Sequence, residues 1–80
     1  NKYNIRCNVV MPGAIDTQMI YKNQVEGESD DAFVEAVNAR YPLGRMGTAD
    51  EIASAVVFLS SDESRFMTGA QLRVDGGGTI

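Results

Sequence analysis

The sequence predicts an α/β fold in which two parallel strands are joined by a long helical crossover, a βαβ unit with a helical insert. Three observations carry this expectation. Residues 5–11 form a β-branched, mostly apolar run that does not alternate, since Val9, Val10 and Met11 are consecutive; such runs suit a parallel sheet covered on both faces. Residues 48–59 open with a helix start signal and continue at helical spacing. Gln71, Leu72, Arg73 and Val74 form a second short strand, punctuated by Asp75 and the glycines Gly76, Gly77 and Gly78. Strand, helices, strand in that order gives parallel strands and a right-handed crossover.

Each element follows from its residues. The first strand ends at Pro12 and Gly13, because proline lacks the ladder donor and glycine permits a sharp turn. Cys7 falls inside this strand and is expected to be buried and inert: apolar burial raises a thiol's pKa, and the chain has no histidine to activate it. Residues 18–29 are polar and weakly patterned, a loop with one short helix. Asp30 begins the next helix, where acids favour the dipole. Phe33, Val34 and Val37 share its apolar face. Arg40 closes it, and Tyr41 before Pro42 stops it. Thr48 and Glu51 then form a capping box for the best-defined helix. Ile52, Ala55, Val56 and Leu59 make one apolar stripe, and Val57 and Phe58 lie off it. One face of this helix packs on the sheet. The other meets either a second subunit or a neighbouring helix of the same chain. Residues 60–66 read as a turn-rich connection.

Length and charge narrow the possibilities. A chain of 80 residues fits one small domain, and domains this small bury only about 60% of their unfolded surface. One cysteine and no histidine leave neither an internal disulfide nor a Cys/His zinc site. A net charge of -4 argues against a nucleic-acid footprint. Glu26, Glu28, Asp30, Asp31 and Glu35 read as a solvated loop and helix start, since their spacing matches no calcium ligand loop. No apolar run approaches the roughly 20 residues of a membrane span, and no leader is visible, although the chain opens on Asn1 and not Met. Two strands with their helices do not close a stable sheet. These residues are therefore expected to belong to a larger α/β sheet.

Ligands of doubly wound sheets sit at the carboxyl ends of the strands, and residues 12–17 leave such an end. A turn at Pro12 and Gly13 lets the backbone approach a flat ligand. Ile15 offers a backbone N–H and C=O, and Thr17 offers a hydroxyl. Together they complement a carboxamide, which carries an acceptor and two donors. The glycines at 76–78 do not make a dinucleotide fingerprint, because no helix follows them.

The two ends of the chain, Ile5-Arg6-Cys7-Asn8-Val9-Val10-Met11-Pro12-Gly13-Ala14-Ile15-Asp16-Thr17 and Thr68-Gly69-Ala70-Gln71-Leu72-Arg73-Val74-Asp75-Gly76-Gly77, flank the run Pro42-Leu43-Gly44-Arg45-Met46-Gly47 and the capped helix. In that order and spacing they resemble the C-terminal portion of a short-chain dehydrogenase/reductase, from its sixth strand to its last. The resemblance implies a C-terminal fragment of a single Rossmann-like, NAD(P)-binding domain over residues 1–80, with no separate second domain. It implies an NAD(P)-dependent oxidoreductase that interconverts an alcohol and a ketone by hydride transfer, with NAD or NADP as cofactor. Pro12 and Gly13 would lie along the nicotinamide ring, and the Ile15 backbone and Thr17 hydroxyl would hold its carboxamide. Met19 and Ile20, in the family's substrate loop, would wall the substrate, and Arg45 would be structural. The late helix (Ile52 to Leu59) and the strand Gln71–Val74 would join subunits of a cytoplasmic homotetramer. The family's acid is a Tyr four residues before a Lys, preceded by a Ser. Here Tyr3 leads to Cys7, Tyr21 to Val25 and Tyr41 to Arg45, so no residue of this chain is assigned as catalytic. Two other readings stay open: a non-catalytic oligomerisation module or remnant, and a homologue that lost its Tyr or Lys.

Overall fold

The two strand segments pair in parallel, as the order of elements requires. The computed structural model describes residues 3–78. Strand β1 (Val9–Pro12) is followed by a 3-10 turn (Ile20–Asn23), helix α1 (Asp30–Asn38), helix α2 (Ala49–Ser60), a second 3-10 turn (Asp62–Ser64) and strand β2 (Gln71–Val74). The register sets Val9 opposite Gln71 and Pro12 opposite Val74.

Strand β1 starts four residues later than its apolar run suggests, and it includes Pro12. Both differences come from its partner. Before Val9 the facing chain is no strand but a loop that turns at Gly69 (φ 73°). Side chains replace the ladder there. The Cys7 N–H donates to Thr68 Oγ1 (3.1 Å) and the Gly69 N–H to the Cys7 C=O (2.7 Å). The Asn8 amide takes the Ala70 N–H (2.9 Å) and gives to the Met67 C=O (3.3 Å), as a strand backbone would. Cys7 is exposed, not buried, because these bonds run edge-on to the loop and leave its side chain uncovered. At the other end, the N–H groups of Val9 and Gly13 donate to Ala70 and Val74 of the β2 side (2.9 and 3.2 Å). Alternate residues of a parallel strand bond to alternate neighbours, so the donor that Pro12 lacks would face the opposite edge. The proline costs this pair nothing.

Helix α1 starts on Ser29, whose hydroxyl accepts the Ala32 N–H (3.2 Å). It ends at Asn38, two residues before Arg40, and the Asn38 side chain accepts the Met46 N–H (2.9 Å). Phe33 and Val37, a turn apart, bury against Met46, with Ala14, Ile20, Tyr21, Val34 and Tyr41 packed around them. Helix α2 carries the expected capping box: Thr48 Oγ1 accepts the Glu51 N–H (3.2 Å) and Glu51 Oε1 accepts the Thr48 N–H (2.9 Å). Its inner face is Ile52, Ala55 and Leu59, of which Leu59 is buried. Val56 does not complete that stripe. It is 47% exposed and shares the outer face with Val57 and Phe58.

The far end of α2 is closed by an arginine from outside it. Arg6 Nη2 donates to the C=O groups of Leu59 (2.9 Å) and Ser61 (3.4 Å), and Nη1 to those of Ser64 (3.0 Å) and Met67 (3.1 Å). The last carbonyls of a helix have no intrahelical partner and carry partial negative charge. A planar fork with several donors fits them better than an ammonium. The radius of gyration is 15.9 Å, against roughly 12 Å for a compact domain of this length. Val9 and Met11 of β1 are 50% and 40% exposed, so the chain's own elements do not cover the sheet. Among the described residues, no helix is long and apolar enough to cross a membrane.

Replacing the fork should open the junction. Arg6→Met is expected to lower the unfolding free energy by about 1.5–3 kcal/mol, and Arg6→Lys to recover only part of that. Urea denaturation of the two variants beside the parent checks this; coincident midpoints would remove Arg6 from the account of the helix end.

Candidate functional site

Beyond β1 the chain runs through residues 13–17 and is pinned to the turn that precedes α2. Gly47 makes an isolated parallel bridge with Ile15. The Gly47 N–H donates to the Ala14 C=O (3.0 Å), and the Asp16 N–H donates to the Gly47 C=O (2.9 Å). A peptide unit is planar and trans, so its C=O and N–H point in opposite directions. The Ala14 C=O shares a plane with the Ile15 N–H, and the Asp16 N–H shares one with the Ile15 C=O. Both polar groups of Ile15 therefore face away from Gly47, to the same side. The Ile15 C=O accepts the Thr17 N–H (2.8 Å), and the Thr17 hydroxyl lies 3.5 Å from the same oxygen. Three of the groups expected to bind a carboxamide are thus brought together by the backbone. A carbonyl has two lone pairs, so the bond from Thr17 leaves acceptor capacity on Ile15.

Gly13 is needed for space. A Cβ there would come within 3.0 Å of Asp75 Cα, Asp75 Cβ and the Tyr41 ring. Pro12 and Gly13 line a hollow of about 130 Å³ with Tyr41, Asp75 and Gly78. A wider cleft, about 430 Å³, lies between the 42–47 turn, the start of α2 and the end of β2, and it meets the 12–17 loop at Ala14. Met19 and Ile20 part company. Met19 is 73% exposed, whereas Ile20 packs beside the Phe33, Val37 and Met46 core. Among the described residues, no group of three or more His, Cys, Asp or Glu could hold a metal ion.

The turn that supplies Gly47 is itself braced. Arg45 forks onto Glu51, with both guanidinium-to-carboxylate distances 2.7 Å, and donates to the Met46 C=O (3.0 Å). The Arg45 hydrogen bond, then the Thr48 N–H, hold the Glu51 carboxyl down at about 2. The Arg45 guanidinium is raised by the same carboxylate. Tyr21, ring to ring with Phe33 at 5.3 Å, has its hydroxyl raised by loss of solvent and then by Asp16, Asp30 and Asp31. Sequence reasoning missed the bridge to Gly47 and the role of Tyr41. Its only signal for that residue was the proline that follows, which marks a helix end and says nothing of a contact 27 positions away.

Two expectations follow from this geometry. Glu51 has a folded pKa below its usual 4.5, so it binds fewer protons folded than unfolded, and its contribution is present above that value. The stability difference between parent and Glu51→Gln should be full near neutral pH and vanish as pH falls from 4.5 towards 2; denaturation at a series of pH values reads it. Gly13→Ala should destabilise by about 1–3 kcal/mol, because the added Cβ meets the Asp75 backbone as well as the Asp75 and Tyr41 side chains. A midpoint equal to the parent's would mean that the loop yields freely.

Known proteins identify the fold and its family. A family model described as enoyl-(acyl carrier protein) reductase matches residues 1–79. L-rhamnose 1-dehydrogenase (NAD(P)(+)) of Azotobacter vinelandii is 48% identical over 94% of this chain and 28% of its own length. The 3-oxoacyl-(acyl-carrier-protein) reductase FabG of Chlamydia muridarum is 47% identical over 92% of this chain and 27% of its own. The chain thus spans little more than a quarter of these relatives. A short chain dehydrogenase family protein from Francisella tularensis subsp. tularensis SCHU S4 superposes with a TM-score of 0.87 at 44% identity, over 98% of this chain and 34% of that one. A C-terminal deletion mutant of Thermoplasma acidophilum aldohexose dehydrogenase (AldT) gives 0.85 at 41%, over 94% and 35%. The parallel β1–β2 pair and its helices are part of the Rossmann-like α/β sheet of those dehydrogenases, and the chain belongs to the short-chain dehydrogenase/reductase family.

Proposed function

We propose that the protein carrying these residues is an NAD(P)-dependent oxidoreductase that interconverts an alcohol and a ketone, and that this chain is the C-terminal part of its single cofactor-binding domain. The observation that carries the reading is the pair of peptide planes turned by Gly47. They aim the Ile15 N–H and C=O to one side, beside the Thr17 hydroxyl. That donor and acceptor set fits a nicotinamide carboxamide, and the bare backbone at Pro12 and Gly13 fits the flat ring beside it. When bound, the nicotinamide gives or takes the hydride. This chain's residues hold its amide and so select the ring face offered to substrate. No residue of this chain is assigned as the proton donor.

Met19 and Ile20 follow this loop, two and three positions after Thr17, and form the substrate side. The exposed Met19 is the one available for contact, and Ile20 anchors it to the core. The relatives named for a sugar and for an oxoacyl carrier protein support the reaction class, alcohol or carbonyl, but differ in substrate. The outer face of α2, Val56, Val57 and Phe58, together with β2, is the surface proposed to join subunits in a homo-oligomer. Such an apolar face is what an interface core uses.

The test is an assay of reduced-nicotinamide absorbance with the protein at its natural length, with NAD and with NADP, over a panel of alcohols and ketones. Activity with either cofactor is expected, and Thr17→Ala should raise the cofactor KM about fivefold, the loss of one neutral hydrogen bond. Neither activity nor cofactor binding in the parent protein would leave only the non-catalytic module.

A further inference from the structure

The loop that carries Ile15 and Thr17 is gripped by one aromatic side chain to which the proposed clamp gives no task. The Ala14 N–H donates to the Tyr41 hydroxyl (2.9 Å), while the Ala14 C=O takes the Gly47 N–H (3.0 Å). Both polar groups of Ala14 are therefore held by one short segment, and Ala14 is the residue before Ile15. The ring of Tyr41 is wedged between two glycines, one beyond each strand. A Cβ on Gly13 would come within 3.0 Å of its Cε1, and a Cβ on Gly78 would run into the ring. The mount is firm. Tyr41 packs against the Phe33, Val37 and Met46 core. Its own N–H donates to the Asn38 C=O (3.2 Å), its C=O accepts the Gly44 N–H (2.7 Å), and the Leu43 N–H ties the turn to Gly76 beyond β2 (3.1 Å).

We propose that Tyr41 is a positioning residue for the nicotinamide end of the cofactor: its hydroxyl sets the peptide between Gly13 and Ala14, and through it the aim of Ile15 and Thr17. This rests on the clamp reading above. Gly47 alone fixes the peptide plane after Ala14. Tyr41 holds the plane before it, so both peptide planes that flank Ala14 are tied to the 41–47 segment. Without the hydroxyl, a part-buried N–H loses its partner, and the plane before Ala14 is free to turn.

The experiment separates this role from general structure and from the clamp itself. The protein at its natural length is titrated with NAD or NADP, and with ADP-ribose or its 2′-phosphate, which lack the nicotinamide. Parent, Tyr41→Phe and Thr17→Ala are compared. Tyr41→Phe keeps the ring between the glycines. It is expected to weaken dinucleotide binding about fivefold and to leave ADP-ribose binding unchanged. Equal weakening of both ligands, or of neither, overturns the inference. A selective loss in Thr17→Ala without one in Tyr41→Phe keeps the clamp and removes Tyr41 from it. No selective loss in Thr17→Ala brings down the clamp reading, and the role of Tyr41 with it.

Discussion

Parallel pairing of β1 with β2 makes the intervening chain return the length of the strands before it can pair again, and the places where that return is pinned determine the rest of the structure. At the amino end of the pair, Arg6 reaches the carbonyls that end α2, and Asn8 stands in for a strand backbone against the 67–70 loop. At the carboxyl end, Gly47 bridges to Ile15, and Leu43 bonds to Gly76. Helix α2 is thus held at its end by one junction and at its start by the other. Its inner residues Ile52, Ala55 and Leu59 have one way to face.

The contrast between these polar junctions and the small apolar core is informative. Among the described residues, Phe33, Val37, Met46 and Leu59 are the apolar side chains that the chain buries. The chain spans little more than a quarter of the relatives it matches, and its own elements leave Val9 and Met11 half open. The local geometry of the loop leaving β1 depends less on apolar cover. It is set by planar peptides and short hydrogen bonds within the chain, which explains why a candidate site can be described from these residues alone.

Charge plays a supporting part. The Arg45–Glu51 pair is exposed, with side chains 53% and 43% accessible. Exposed pairs add little to stability. This one joins the turn that supplies Gly47 to the first turn of α2, and Glu51 also closes the capping box. The same carboxylate caps a helix and braces the turn that aims Ile15, so its value lies in geometry more than in energy. Of the acids around the first 3-10 turn and α1, Asp30 accepts from the Gln24 amide (2.9 Å) and Glu28 from the Val25 N–H (3.3 Å).

The sequence by itself determined what depends on neighbours in the chain. Thr48 and Glu51 mark the start of α2, Asp30 that of α1, and Gln71 to Val74 are β2 to the residue. Residues 12–17 were legible as a candidate site because a turn, an N–H, a C=O and a hydroxyl lie within six positions. The order of elements required parallel strands, and the combined motifs named the family. Tertiary structure alone decided what depends on distant partners. The start of β1 is set by where β2 stops pairing, which an apolar run beginning at Ile5 cannot reveal. Cys7 lies open because its strand-like neighbours pair edge-on with a loop. Val56 turns outward, 47% exposed, although it shares helical spacing with Ile52 and Leu59. Arg6 and Tyr41 do their work through partners more than fifty and more than twenty residues away. Their roles follow from the crossover and from no local pattern. Periodicity and capping are short-range properties written in adjacent residues, whereas the aim of a peptide plane is set by whichever segment the fold lays against it.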